Sequence, residues 1–332
     1  MLEGSTDVVS FTVVLDAQPD GSDFVLIDVL SSDTSEASVN APSALMFTNA
    51  NWNIPQTVIV QNVDDLILDG TRTSLISIAI SSLSPVNGFS SLPSETITTQ
   101  IFDNETAGFT ISPVMGDLIE GALSTASFTL VLNAGPLSNV AIDLSLNDFG
   151  EVALAGVSSV VFTQSNWNTA QTVTIRSVDD YIIDGTQTVS ITASINPSSN
   201  ADFLGVASQS VSVTNADNDQ AIINVVTIDN LTSESGERGS FSIQLSSIPT
   251  ADVSIDIRST DLDEVIVDVN TITFTPANWN IPQIINTTGI DDSPPQSDGS
   301  QVVTIVTENI RSTDINYAGI TDSAVADVLM NN

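Results

Sequence analysis

The chain has 332 residues, with 41 acidic against 5 basic side chains and a formal charge of -36. It lacks lysine, histidine and cysteine, which excludes imidazole bases, Schiff-base lysines, thiolate nucleophiles, His/Cys metal sites, disulfides and Lys–Asn crosslinks. A hydrophobic content of 41% separates it from acidic disordered tails, and its charge would repel nucleic-acid phosphates and anionic membranes.

No run of about 20 apolar residues occurs, so no membrane insertion is expected of this segment. Self-comparison gives the strongest signal. The segment MFTNANWNIPQTVIVQNVDDLILDG (46–70) recurs as VFTQSNWNTAQTVTIRSVDDYIIDG (161–185) and, more loosely, as TFTPANWNIPQIINTTGIDDSPPQSDG (273–299). Trp52, Trp167 and Trp279 mark the period, which suits one β-sandwich per copy. Three tandem domains are expected, at 1–104, 105–219 and 220–332.

In the second copy, alternating runs rich in Val, Ile, Thr and Phe lie between turn residues. They predict strands A (Phe109–Ser112), B (Ser127–Leu132), C (Val140–Leu146), D (Ser158–Thr163), E (Thr172–Val178), F (Thr186–Ile195) and G (Gln209–Thr214). The fold class is therefore all-β: three immunoglobulin-like antiparallel sandwiches in tandem, forming a rod. Glu3 has only Met1 and Leu2 before it, whereas Glu120 and Glu234 follow a whole A-strand segment. Strand A of the first domain is expected to be missing, either because a longer array is cut in mid-unit or because a neighbouring chain supplies the strand.

Successive antiparallel strands alternate direction, so the A–B, C–D and E–F loops and the end of G share one end of each sandwich. The acids go to that end. In the second copy they are Glu120, Asp148, Glu151, Asp179, Asp180, Asp184, Asp217 and Asp219. In the first they are Glu3, Asp33, Glu36, Asp64, Asp65, Asp69, Asp103 and Glu105, and in the third Glu234, Asp261, Asp263, Glu264, Asp291, Asp292 and Asp298. So many converging carboxylates need protons or cations between them, and a flexible cage of oxygens selects Ca²⁺ over Mg²⁺. Scattered halophilic acidity, or Asp serving as a turn residue, would explain single acids but not their segregation.

The Glu before strand B, the Asp-Asp pair after strand E and the acidic tails FDNE (102–105) and ADND (216–219) resemble the Calx-beta domain. The resemblance covers all three copies. It implies an immunoglobulin-like sandwich that binds several Ca²⁺ through the carboxylates named above. The FTxxNWNxPQ stretch resembles repeats of giant bacterial adhesins. The third copy departs from the pattern, with Pro294–Pro295 in a longer E–F loop and Asn331–Asn332 in place of the last acids.

Since strand G ends among the acidic loops, each cluster should lie at a junction with the next repeat. The expectation is a non-enzymatic, extracellular, calcium-stabilised rod segment of an adhesin or filament. Its partners would be neighbouring repeats of the same chain, or other copies through strand addition at the first repeat. The alternative is a module that recognises a glycan or protein through bound calcium. The three tryptophans suit a cap on each core better than a sugar-stacking face. The sequons at Asn104, Asn230 and Asn286 are no more than chance supplies. Paired carboxylates repeated threefold in loops do not make a glycosidase cleft.

Overall fold

The computed structural model describes residues 1–85, 88–291, 300–321 and 325–331. The protein is all-β and builds its antiparallel sheets around three separate cores. The cores draw on residues 15–101, 109–213 and 223–328, and each is centred on phenylalanines such as Phe47, Phe128 and Phe241. We call the three units repeats 1, 2 and 3. Among the described residues no helix is long and apolar enough to cross a membrane.

Repeat 2 shows the complete plan. One sheet runs Val152–Leu154, Gln171–Ser177 (E), Thr125–Leu132 (B), Phe109–Ile111 (A). The other runs Leu118–Ile119, Gln209–Ala216 (G), Gln187–Ile195 (F), Val140–Leu146 (C), Ser159–Phe162 (D). Positions along B alternate buried with half-buried, as a strand with one face on the core requires. Two short pieces escape the sequence reading. Strand A ends near Pro113 and the chain resumes beside G, in parallel, at Leu118–Ile119. Gly116, at φ +105°, permits that change of sheet. Likewise Val152–Leu154 pairs with E before D begins.

The repeated FTxxNWNxPQ stretch turns out to be the D–E corner. The Asn51 side chain accepts hydrogen bonds from the backbone and hydroxyl of Thr48, and Asn166 and Asn278 do the same for Thr163 and Thr275. The carbonyls of Trp52, Trp167 and Trp279 accept the N–H groups of Leu15, Leu132 and Leu245, which ties the corner to strand B.

Repeat 1 differs at one edge. Its first sheet has only three strands, Val8–Val13 (B), Gln56–Asn62 (E) and Ala37–Ala41, and nothing among the described residues lies outside B. Leu2 pairs in parallel with Phe102, just past the end of strand G (Glu95–Ile101), in the manner of Leu118–Ile119 in repeat 2.

Candidate metal centre

At the end of repeats 1 and 2 where strand G finishes, the acidic loops meet. A turn closed by the Ala37 N–H on the Asp33 carbonyl carries Glu36 inward, and the Glu36 carbonyl then accepts the N–H of Val63, just past strand E. Glu151 and Glu264 repeat the second bond with Val178 and Ile290. Asp103, after strand G, accepts the N–H groups of Asp69 (2.9 Å) and Gly70 (2.7 Å) on one oxygen and of Glu105 (2.7 Å) on the other. Asp217 does the same with Asp184 (3.1 Å), Gly185 (2.7 Å) and Asp219 (2.7 Å). Gly70 and Gly185 stand at φ +75° and +74°, which is why the Asp-Gly pair recurs.

Among the described residues three groups of carboxylates result, each offering oxygens within 4.8 Å of one another: Glu3–Glu36–Asp69, Glu3–Asp103–Glu105 and Glu120–Asp217–Asp219. Glu3, Glu36, Glu120 and Glu151 are buried, at 2–5% exposure. Burying a carboxylate without a cation is costly. Accordingly burial, and then the adjoining carboxyl of Glu36, pushes Glu3 up to about 8. Burial and then Glu151 push Glu120 up to about 8, and burial with Asp103 brings Glu105 to about 7. Burial also raises Glu36 and Asp219. Asp103 goes the other way: burial opposes its charge, but the N–H groups of Gly70, Glu105 and Asp69 outweigh it and hold the carboxylate below its usual range.

The oxygens fit a hard cation. Oε2 of Glu3, Glu36, Glu105 and Glu120, Oδ1 of Asp69 and Oδ2 of Asp219 are buried without any hydrogen-bond partner. Polar atoms left so in a native interior call for an explanation, and a ring of anionic oxygens is the donor set that Ca²⁺ takes. Glu3, Glu36, Asp69, Asp103 and Glu105 of repeat 1 and Glu120, Asp217 and Asp219 of repeat 2 are the residues that would hold it.

The remaining expected residues sit farther out. Asp64, Asp148, Asp179 and Asp184 are exposed, and Asp33, Asp65 and Asp180 are half-buried. Asp33, Asp148 and Asp261 each accept the N–H two residues on, at Ser35, Gly150 and Asp263, which is ordinary turn bonding. Bonds from Ser35 draw Asp33 below its usual range despite some burial. In repeat 3, Glu234 and Glu264 are half-buried and Asp261, Asp263 and Asp291 exposed, while Asp292 and Asp298 lie outside the described residues. Among the described residues no carboxylate group of the tight kind forms there.

Several neighbours were missed in the sequence. The amide of Asn215, fully buried, donates to Glu120 Oε1 (3.0 Å) and Glu151 Oε2 (3.0 Å). Asn104 and Asn218 donate to the carbonyls of Glu3 (3.1 Å) and Glu120 (2.8 Å). Gly4 and Gly121, at φ +62° and +65°, leave no room for a side chain beside Asn104 and Asn218. The recurrent Glu-Gly pair and the Asn within DNE and DND were the available signals. Arg72 Nε lies 2.7 Å from Asp69 Oδ2.

The same E–F loops reach the next repeat. Asp65 Oδ1 accepts the Ile67 N–H (2.7 Å), Leu66 O accepts the Gly135 N–H (2.7 Å), and Ile67–Leu68 pairs in parallel with Gly135–Pro136 of repeat 2. Leu68 packs on the repeat 2 core near Trp167. At the second joint Asp180 Oδ1 accepts the N–H groups of Tyr181 (2.8 Å) and Ile182 (2.7 Å). Tyr181 O accepts the Ile248 N–H (2.8 Å), and its ring lies 5.3 Å from that of Trp279.

No family model and no curated sequence matches the chain. Among solved structures it is similar to the calcium-binding domain CBD12 of CALX1.1 (11% identity, TM-score 0.33, 68% of this chain and 100% of that one). It is also similar to CBD12 from CALX1.2 (14%, 0.27, 63% and 82%) and to domains 4–9 of the surface layer protein SbsC (13%, 0.26, 96% and 40%). These are loose superpositions, and the site rests on its own geometry.

Proposed function

We propose that the chain is a calcium-stabilised structural rod segment of an extracellular adhesin or filament, with Ca²⁺ held by the clustered carboxylates at the joints between repeats. One observation carries this reading. The E–F loop that presents Asp64, Asp65 and Asp69, or Asp179, Asp180 and Asp184, is also the loop that seats on the next repeat. A cation there would neutralise the cluster and fix the loop, so local charge would set the stiffness of the joint. The partners in this reading are neighbouring repeats of the same chain. The tryptophans at the two joints meet the preceding loop, which argues against a sugar-stacking face and for a structural role.

Thermal unfolding and small-angle scattering, each in EDTA and in millimolar calcium, test the reading. A ligand bound only by the native state adds about 2.7 kcal/mol per site at a hundred times its Kd. Calcium should therefore raise the melting temperature and lengthen the particle. Replacing Asp179 and Asp180 with Asn should release the second joint and leave the first. Identical curves with and without calcium would end the proposal.

A further inference from the structure

Both joints between repeats are built on the same hydrogen bond. The Gly135 N–H meets the Leu66 carbonyl at 2.7 Å, and the Ile248 N–H meets the Tyr181 carbonyl at 2.8 Å. The donors match in sequence, LNAGP (132–136) against LSSIP (245–249), and so do the acceptors, DDLIL (64–68) against DDYII (179–183). Around that shared bond the joints differ. Ile67–Leu68 runs on beside Gly135–Pro136 as a parallel pair, and Leu68 packs on the repeat 2 core. Ile182–Ile183 makes no strand pair among the described residues, and Tyr181 stands at φ +124° with its ring tilted against that of Trp279.

The receiving residue accounts for the difference. A Cβ on Gly135 would come within 3.1 Å of Trp167 Nε1 and 3.2 Å of the Leu66 carbonyl oxygen, tighter than side chains normally pack. Glycine therefore lets the loop lie flat on the corner. Repeat 3 has isoleucine at this place, half-buried against its own core, in a corner that is pinned from behind. The buried Tyr317 hydroxyl lies 2.8 Å from Ser247 Oγ and donates to Ser247 O (2.9 Å), and Asp314 Oδ2 accepts the Thr250 N–H (2.7 Å). The loop must yield instead, and a non-glycine residue held at positive φ is the mark of that. We propose that the residue at 135 or 248 selects the loop that docks on its repeat. Glycine takes a loop that pairs as a strand, and a branched side chain takes one that turns away at an aromatic residue and clamps the corner tryptophan. Each repeat is thereby keyed to its neighbour, and the two joints are not interchangeable. The selection is one of packing and does not depend on calcium.

Amide exchange of the full chain, in EDTA and in calcium, reads the two N–H groups directly. Gly135→Ile should speed exchange at position 135 about ten- to a hundredfold and leave Ile248 unchanged, along with Leu144, whose N–H bonds to Ser158 inside repeat 2. Adding Leu66→Tyr should recover most of that loss, whereas Leu66→Tyr alone should change little. Should repeat 2 unfold in Gly135→Ile, Leu144 would lose protection too, and variants of the Tyr181 loop then decide. Protection of the Ile248 N–H should fall in the order Tyr181→Phe, Tyr181→Gly, Tyr181→Ala, because Phe keeps the ring, Gly suits the backbone angle alone and Ala does neither. Full protection at position 135 in Gly135→Ile, no recovery by Leu66→Tyr, or alanine at 181 protecting as well as glycine would overturn the proposal. So would a pattern that appears only when calcium is present.

Discussion

The ends of repeats 1 and 2 share one backbone cradle and fill it differently. In repeat 1 the residue beneath the paired glutamates is Ile101, fully buried, and the Glu3 and Glu36 carboxyls meet directly. In repeat 2 the Glu120 and Glu151 carboxyls meet in the same way, but the matching residue is Asn215, whose amide donates to both. Repeat 1 accordingly forms two tight carboxylate groups that share Glu3, and repeat 2 forms one. An apolar floor leaves anionic oxygens to a cation or a proton, whereas an amide floor supplies part of the positive potential itself. Repeat 1 should therefore depend more on calcium than repeat 2.

The largest effect should come from erasing that difference. Asn215→Leu imitates the floor of repeat 1 and strips two buried carboxyls of their donor, a loss of about 1–3 kcal/mol for buried polar groups left without a partner. The unfolding transition of repeat 2 in EDTA should fall by that amount, and calcium should recover much of it. A variant as stable in EDTA as the parent chain would show that the amide does not take the place of charge.

Acidity should separate the two metals-free and calcium-loaded states in opposite directions. A carboxyl whose pKa rises on folding stabilises the native state fully below its ordinary value, and that contribution is lost as pH climbs through the folded value. For Glu3 and Glu120 the window runs from 4.5 to about 8. In EDTA the melting temperature should therefore fall across that window. Calcium affinity should rise across it, because binding must displace the held protons. Melting curves at pH 5 and pH 8, with and without calcium, check both signs.

Much of this was legible in the sequence, for physical reasons. Asp-Asp and Asp-x-x-Glu recur in fixed relation to alternating strands, and strand direction alone sends them to one end. What parity could not reveal was depth. Asp148 and Glu151 lie three residues apart, yet Asp148 turns out to solvent while Glu151 is buried, because the turn between them points only the second inward. Asn215 sits one residue before the end of strand G and carries no charge, so nothing in composition distinguished it from its neighbours. The third repeat's weaker motif corresponds to half-buried rather than buried glutamates at Glu234 and Glu264. The contact of Tyr181 with Trp279 joins residues of different repeats, which no pattern within one repeat could show.

The smallest expected effect concerns Arg72, the cation that repeat 1 holds beside its cluster and repeat 2 replaces with Gln187. Its side chain is 42% exposed, so its bond to Asp69 should stabilise the fold by only about 0.2–1 kcal/mol. Its charge nevertheless acts on the same oxygens that a divalent ion would use, and a fixed positive charge nearby weakens cation binding. Arg72→Gln copies the repeat 2 residue at this position. In EDTA its melting temperature should scarcely change, while calorimetric titration should show calcium binding to repeat 1 several-fold tighter. Weaker binding would instead mean that Arg72 holds Asp69 in its ligating position, and that orientation outweighs repulsion at this cluster.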